Sequence, residues 1–259
     1  MPTLNTNNIT LYYEQHGQGP DLLLIAGFTA DHTVWHRVID DLAKQFRVTI
    51  FDNRGAGQSD SPKAAYTIDT MADDVLELMD TLNIETTFVL GHSMGGFILQ
   101  SLLARYASRF TRAILMCSRL GPNPKYELQA SVNTELAGRG IDLATLAKNS
   151  AVLLFGNDFL SDPKNLEAYL ERVKNNPHPQ DIVGLQRQRD ANNQFDKSAY
   201  LSRINTPLFA LFGEEDGIAP PQSLSILKDH AKDLKTHVIP SCGHMPQFEK
   251  PDVMIDAIN

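Results

Sequence analysis

Residues 88–97 read Phe88-Val-Leu-Gly-His-Ser-Met-Gly-Gly-Phe97, and their arrangement decides the fold. An apolar strand runs into Gly91-His92-Ser93-Met94-Gly95, and a helical pattern begins around Met94. That is G-x-S-x-G in a strand–turn–helix setting. A reversal this sharp holds the serine in strained backbone geometry, and side chains two positions to either side would collide with neighbouring backbone. Glycine at 91 and 95 removes the colliding Cβ atoms. Ser93 then projects at the carboxyl end of a sheet, above the positive end of a helix. The five-residue pattern alone recurs by chance, so its weight rests on the partners downstream.

A serine hydroxyl is a poor nucleophile unless a base accepts its proton, and the base needs an orienting carboxylate. The expected chain order on such a turn is Ser, then Asp or Glu, then His. Asp216 follows the apolar run Leu208–Phe212 in Gly213-Glu-Glu-Asp216, and His244 follows His237–Ile239 in Ser241-Cys-Gly-His244. Both fall in loops at carboxyl ends of strands, on the edge that carries Ser93. Glu214 and Glu215 are alternatives for the acid, read as solvated loop residues. The loop after the Ile114 run offers only Ser118-Arg119. His92 adjoins the serine and is read as lining the site without acting as base, while His16, His178, His230 and His237 are read as surface or strand residues. Two backbone N–H groups are needed for a developing oxyanion. Met94 supplies one, and Phe28, in the loop Ala26-Gly-Phe-Thr-Ala30, supplies the other.

Outward from the elbow, short apolar runs alternate with amphipathic segments. Ile9–Tyr13 reads as an early hairpin or edge strand. Leu22–Ile25, Val48–Phe51, Phe88–Leu90, Ile114–Cys117, Leu208–Phe212 and His237–Ile239 read as buried parallel strands. Thr33–Gln45 and Thr70–Leu82 read as helices, the second with Met71, Val75, Leu78, Met79 and Leu82 on one stripe. This alternation predicts an α/β fold with a mostly parallel, twisted sheet flanked by helices. Residues 121–202 break the rhythm. They hold four helical patterns (Tyr126–Ala137, Leu143–Phe155, Pro163–Asn175, Pro179–Ala191) and no buried strand. An insertion of roughly 80 residues is too long for an ordinary connection. It is read as a helical cap over a core formed by residues 1–120 and 203–259, with Phe155, Phe159, Tyr169 and Leu185 facing either pocket or solvent.

The 259 residues are 42% hydrophobic and 21% charged, with a formal net charge of -8. This is ordinary globular composition, and the acidic balance argues against nucleic-acid binding. No apolar run reaches the length of a membrane span. Residues 1–10 are polar and lack the basic-then-apolar order of a secretory signal, so Asn8-Ile9-Thr10 carries no meaning as a glycosylation triplet. With only Cys117 and Cys242 present, a reduced, cytoplasmic location is expected.

Taken together, Ala26-Gly-Phe, Phe51-Asp-Asn-Arg-Gly-Ala-Gly-Gln-Ser59, Gly91-His-Ser-Met-Gly-Gly96, Gly213-Glu-Glu-Asp216 and Cys242-Gly-His-Met-Pro246 resemble the α/β-hydrolase superfamily over nearly the full chain. Size and layout are similar to the group of 3-oxoadipate enol-lactonases, pimeloyl-carrier-protein methyl esterases and small carboxylesterases. Ala26 departs from the His that many members place before the glycine. Serine at 93 disfavours the dehalogenase and epoxide-hydrolase branches, which use Asp there. The resemblance implies an ester, lactone or thioester hydrolase acting on a small molecule without cofactor or metal. Carbon–carbon bond hydrolysis and cofactor-free perhydrolysis use the same triad, and a ligand-sensing receptor on this scaffold is the rival from another class.

Four features are set aside. Gly55-Ala-Gly57 lacks the third glycine of a dinucleotide loop, position 60 being Asp60. His32 and His36 stand four apart on a predicted helix, but Thr33 occupies the place of the zincin glutamate, so the pair is read as helix surface. Trp35 is read as core or pocket wall, and Cys242 as loop packing.

Overall fold

The chain opens with an antiparallel hairpin, β1 (Thr3–Thr6) and β2 (Ile9–His16). The computed structural model describes residues 3–6, 8–231 and 233–258; residues 1, 2 and 7 of the polar stretch 1–10 lie outside them. There follow β3 (Asp21–Ile25), α1 (Ile39–Leu42), β4 (Arg47–Phe51), α2 (Ile68–Thr81), β5 (Thr87–His92), α3 (Met94–Tyr106) and β6 (Phe110–Met116). Six helices come next: α4 (Pro124–Gly138), α5 (Leu143–Leu154), α6 (Asn157–Ser161), α7 (Pro163–Lys174), α8 (Ile182–Gln194) and α9 (Lys197–Leu201). The chain returns through β7 (Leu208–Gly213), α10 (Leu224–Lys228), β8 (Leu234–Ile239), α11 (Pro246–Glu249) and α12 (Pro251–Ile258). The strands form one sheet in the order β1-β2-β4-β3-β5-β6-β7-β8, parallel from β4 onward.

The central strands are apolar on both faces because both faces are covered. Leu23 and Ile25 enter a core shared with Met71, Val75, Leu78, Met79 and Ile98, while Leu22 and Leu24 enter the opposite core with Trp35, Val38, Met254 and Ile255. This is the period of two expected of a strand. Each such Leu or Ile contributes about 1.5–3 kcal/mol on burial. Helix α2 starts where Thr67 and Thr70 form a reciprocal capping box. In the insertion, α4, α5, α7 and α8 start on Asn123, Asp142, Asp162 and Asp181, each accepting a first-turn backbone N–H.

Two expectations need correction. The helix read over Thr33–Gln45 is instead a short 3-10 turn, His32–Trp35, followed by the single turn α1. Asp31 caps that turn at Thr33 N, and Trp35 and Val38 fill the core from it. The strand read at His237–Ile239 is parallel, as β8, but not buried: it is the edge strand, exposed over residues 235–238. No described helix is long and apolar enough to cross a membrane.

Candidate active site

At the end of β5, Ser93 sits at φ 55° and ψ −116°, a conformation that costs an L-residue energy and persists only where its surroundings enforce it. They do so closely. A Cβ on Gly95 would lie 2.2 Å from Ile25 O, and one on Gly91 would lie 2.4 Å from Gly95 O. Ser93 N donates to Met116 O at 3.0 Å, and Ser93 O accepts from Gly96 N and from Ser118 Oγ, both at 2.9 Å. The strained residue is thus tied by both of its backbone groups, to β6 and to the loop that follows it.

The loops after β7 and β8 bring their side chains to this serine. His244 Nε2 lies 3.0 Å from Ser93 Oγ, and His244 Nδ1 lies 2.8 Å from Asp216 Oδ2. The other Asp216 oxygen, Oδ1, accepts from Ile218 N at 2.8 Å and Ala219 N at 2.7 Å, so the carboxylate cannot rotate freely. Asp216 and His244 are each 3% exposed. A buried carboxylate on Nδ1 fixes the ring with Nε2 unprotonated, ready to take the hydroxyl proton. The rival carboxylates are engaged elsewhere: Glu214 accepts from Ser241 N, and Glu215 accepts from the backbone N and the side-chain Nδ2 of Asn157.

The two segments read from sequence as carrying oxyanion donors meet at the serine. A Cβ on Gly27 would lie 2.9 Å from Ser93 Cβ. Gly27 O accepts from Ala30 N at 3.3 Å across a turn with Thr29 at φ 63°. The Phe28 amide therefore follows a residue packed on Ser93, and the Met94 amide leads α3 directly from it. His92 corrects its expectation: its ring does not line an open site but lies buried under the base. Its Nε2 donates to His244 O at 2.9 Å, and the two rings stand 5.0 Å apart. Burial, with the neighbouring His244 adding to it, pushes the His92 imidazole down to about 3, so it stays neutral.

Several supporting groups carry no sequence signal. Glu249, from α11, accepts backbone N–H bonds from Gly156 (2.8 Å), Gly243 (2.9 Å) and Met245 (3.1 Å), clamping the His244 loop on both sides. Burial raises its carboxyl, and those three amides oppose the rise. The end of α5 holds both loops: Leu153 O accepts from Gly217 N, and Leu154 O from His244 N. Cys117 and Cys242 are unpaired and buried, and burial pushes both thiols up, so neither is a thiolate. Phe155 stacks on Phe159 at 4.4 Å and meets Tyr169 edge-on, and Leu185 is half-buried. A cleft of about 410 Å³ opens beside this cluster, lined by His36, Arg37, Tyr169, Arg172 and Phe248 among others; Ser93, Asp216 and His244 are not in its wall.

A mostly parallel sheet with serine, carboxylate and histidine in that chain order on loops at the carboxyl ends of its strands defines the α/β-hydrolase class. The α/β-hydrolase fold family matches residues 20–251, and the chain belongs to it. A Mycobacterium tuberculosis protein bearing a non-heme bromoperoxidase name is 28% identical, with 96% of each chain covered. The crystal structure of the enol-lactonase from Burkholderia xenovorans LB400 superposes with a TM-score of 0.86 at 26% identity, covering 99% of this chain and 98% of that one. A thermophilic esterase from Thermogutta terrifontis gives 0.85 at 26% identity, covering 99% and 96%. The resemblance read from the motifs therefore holds, and the relatives support ester hydrolysis in general terms.

Proposed function

We propose that the protein is a serine hydrolase that cleaves small carboxylic esters, lactones or thioesters through an acyl-enzyme. The observation that carries this reading is the continuous chain Ser93 Oγ–His244–Asp216, at 3.0 and 2.8 Å. Ser93 Oγ attacks the carbonyl carbon as His244 Nε2 takes its proton. The oxyanion is received by the N–H groups of Phe28 and Met94, and Asp216 balances the imidazolium. Collapse breaks the acyl–oxygen bond, and His244 returns the proton to the leaving alkoxide. Water then attacks the acyl-serine with His244 again as base, releasing the acid and restoring Ser93. The insertion of residues 121–202 is the cap over this site and selects the substrate. Two unpaired cysteines agree with the cytoplasmic location proposed from sequence.

Turnover of a chromogenic short-chain ester tests the reading: wild type turns over many times, and Ser93→Ala does not. Retained turnover in Ser93→Ala removes the mechanism. A second reading, attack on the acyl-serine by hydrogen peroxide rather than water, has the bromoperoxidase name of the 28% identical relative in its favour. Halide oxidation in the presence of a carboxylic acid and peroxide, lost in Ser93→Ala, would establish it.

A further inference from the structure

The geometry points to a second site on this chain: Glu14, His32 and His36 form a binding site for one divalent transition-metal ion of the zinc type. Sequence spacing shows the two histidines but not the third ligand, which comes from β2 rather than from beside the first histidine. The expectation of a surface pair fails for His32, whose side chain is only 8% exposed.

The supporting contacts are already those of a ligand set. His32 Nδ1 donates to Asp52 Oδ1 at 2.9 Å, and Asp52, fully buried, also accepts from His32 N at 2.6 Å and Gln58 N at 2.9 Å. A metal-binding histidine characteristically gives its other ring N–H to such a carboxylate. His32 Nε2 then faces Glu14, 3.5 Å from its Oε1, and in the neutral ring it is the nitrogen left to bind an ion. Two ligands of a tetrahedral ion with bonds of about 2.0–2.1 Å stand roughly 3.4 Å apart, so this pair is already spaced for one. Glu14 is itself oriented, by Tyr12 OH on Oε1 at 2.6 Å and by His16 Nε2 at 2.8 Å from Oε2. His36 is exposed, with its ring 5.7 Å from that of His32, and one ligand atom from each of the three lies within 4.8 Å of the others. A small turn of His36 closes the set, and solvent supplies the fourth position.

Two imidazoles and one carboxylate suit zinc, cobalt, nickel or copper over magnesium or calcium. A plain ion pair of His32 with Asp52 and Glu14 would need nothing from His36, which makes His36 the discriminating residue. The ligands also join the N-terminal hairpin to the turn that continues from Phe28.

Calorimetric titration of the chelator-washed, full-length protein with zinc chloride tests the site, alongside His36→Ala and Glu14→Gln. One ion per chain is expected, with affinity at least about tenfold weaker in each variant and no competition from excess magnesium. Cobalt should give the intense visible bands of a tetrahedral complex, absent in His36→Ala. His36 is exposed, so its variant keeps the fold, and a melting curve checks this. Absence of zinc binding, or binding unchanged by His36→Ala, overturns the proposal. Binding that instead disappears in His244→Ala assigns the ion to the buried Cys117–Asp216–His244 group and also overturns it.

Discussion

Leu154 O accepts a 2.7 Å hydrogen bond from His244 N, so the last turn of an insertion helix holds the loop that carries the base. The neighbouring Leu153 O does the same for Gly217, one residue after Asp216. The end of helix α5 therefore holds both loops, and the helices between β6 and β7 take part in positioning the candidate site.

Glu249 reinforces this grip, and its loss should show in both stability and rate. Glu249→Ala leaves three largely buried amides without an acceptor. Destabilisation of about 2 kcal/mol or more is expected, with kcat falling further than KM changes. Glu249→Gln, which keeps one acceptor oxygen, should recover part of both. Thermal melts and ester kinetics on the two variants check this, and wild-type kinetics in Glu249→Ala would contradict it.

The acid is tested by contrast between neighbours. Asp216→Asn should lower kcat by about 10,000-fold with the fold intact, since an amide cannot hold the productive histidine tautomer. Glu215→Gln, whose carboxylate faces Asn157, should change turnover little. Equal losses in the two variants would remove Asp216 from its assigned role.

Much of this was legible from residue types at fixed spacing. Gly91, Ser93 and Gly95 announced the elbow because a steric rule operates within five residues. Asp216 and His244 were found because strand ends place loops on one edge. Glu249, Ser118 and the α5 carbonyls left no such trace, since their contacts cross the chain and involve backbone atoms that any residue offers. The 3-10 turn at His32–Trp35 was misread as helix because its apolar side chains, Val34 and Trp35, match a helical stripe equally well. Strand β8 read as buried because three residues, His237-Val-Ile239, are too few to tell an edge from a centre.

The elbow glycine at 95 should tolerate no side chain. A Cβ there would overlap the Ile25 carbonyl at 2.2 Å, and both groups belong to packed backbone. Gly95→Ala should cost about 3 kcal/mol and lower activity more than Gly121→Ala, where a flexible Ile226 methyl is the only close neighbour among the described residues. Chemical denaturation measures the difference, and equal stabilities would contradict the packing account.

Buried His92 sets part of the acid sensitivity. Its folded pKa is lowered to about 3, whereas an unfolded histidine titrates near 6.5. Between these values the unfolded chain binds the extra proton. Stability from this group is therefore complete above about pH 6.5 and falls as pH drops, by up to about 1.4 kcal/mol per unit. His92→Gln keeps a donor for His244 O but does not titrate. Its melting temperature should drop less than that of wild type between about pH 7, above that window, and about pH 4.5, within it. Parallel curves would contradict the assignment.

Intact-mass analysis after treatment with a fluorophosphonate tests the central claim most directly. The account predicts one adduct per chain, mapped by peptide sequencing to Ser93, absent in Ser93→Ala and slowed in His244→Ala. It predicts in parallel that unlabelled wild type completes many ester turnovers per site. Labelling at another residue, or an adduct that forms in Ser93→Ala as fast as in wild type, would contradict it.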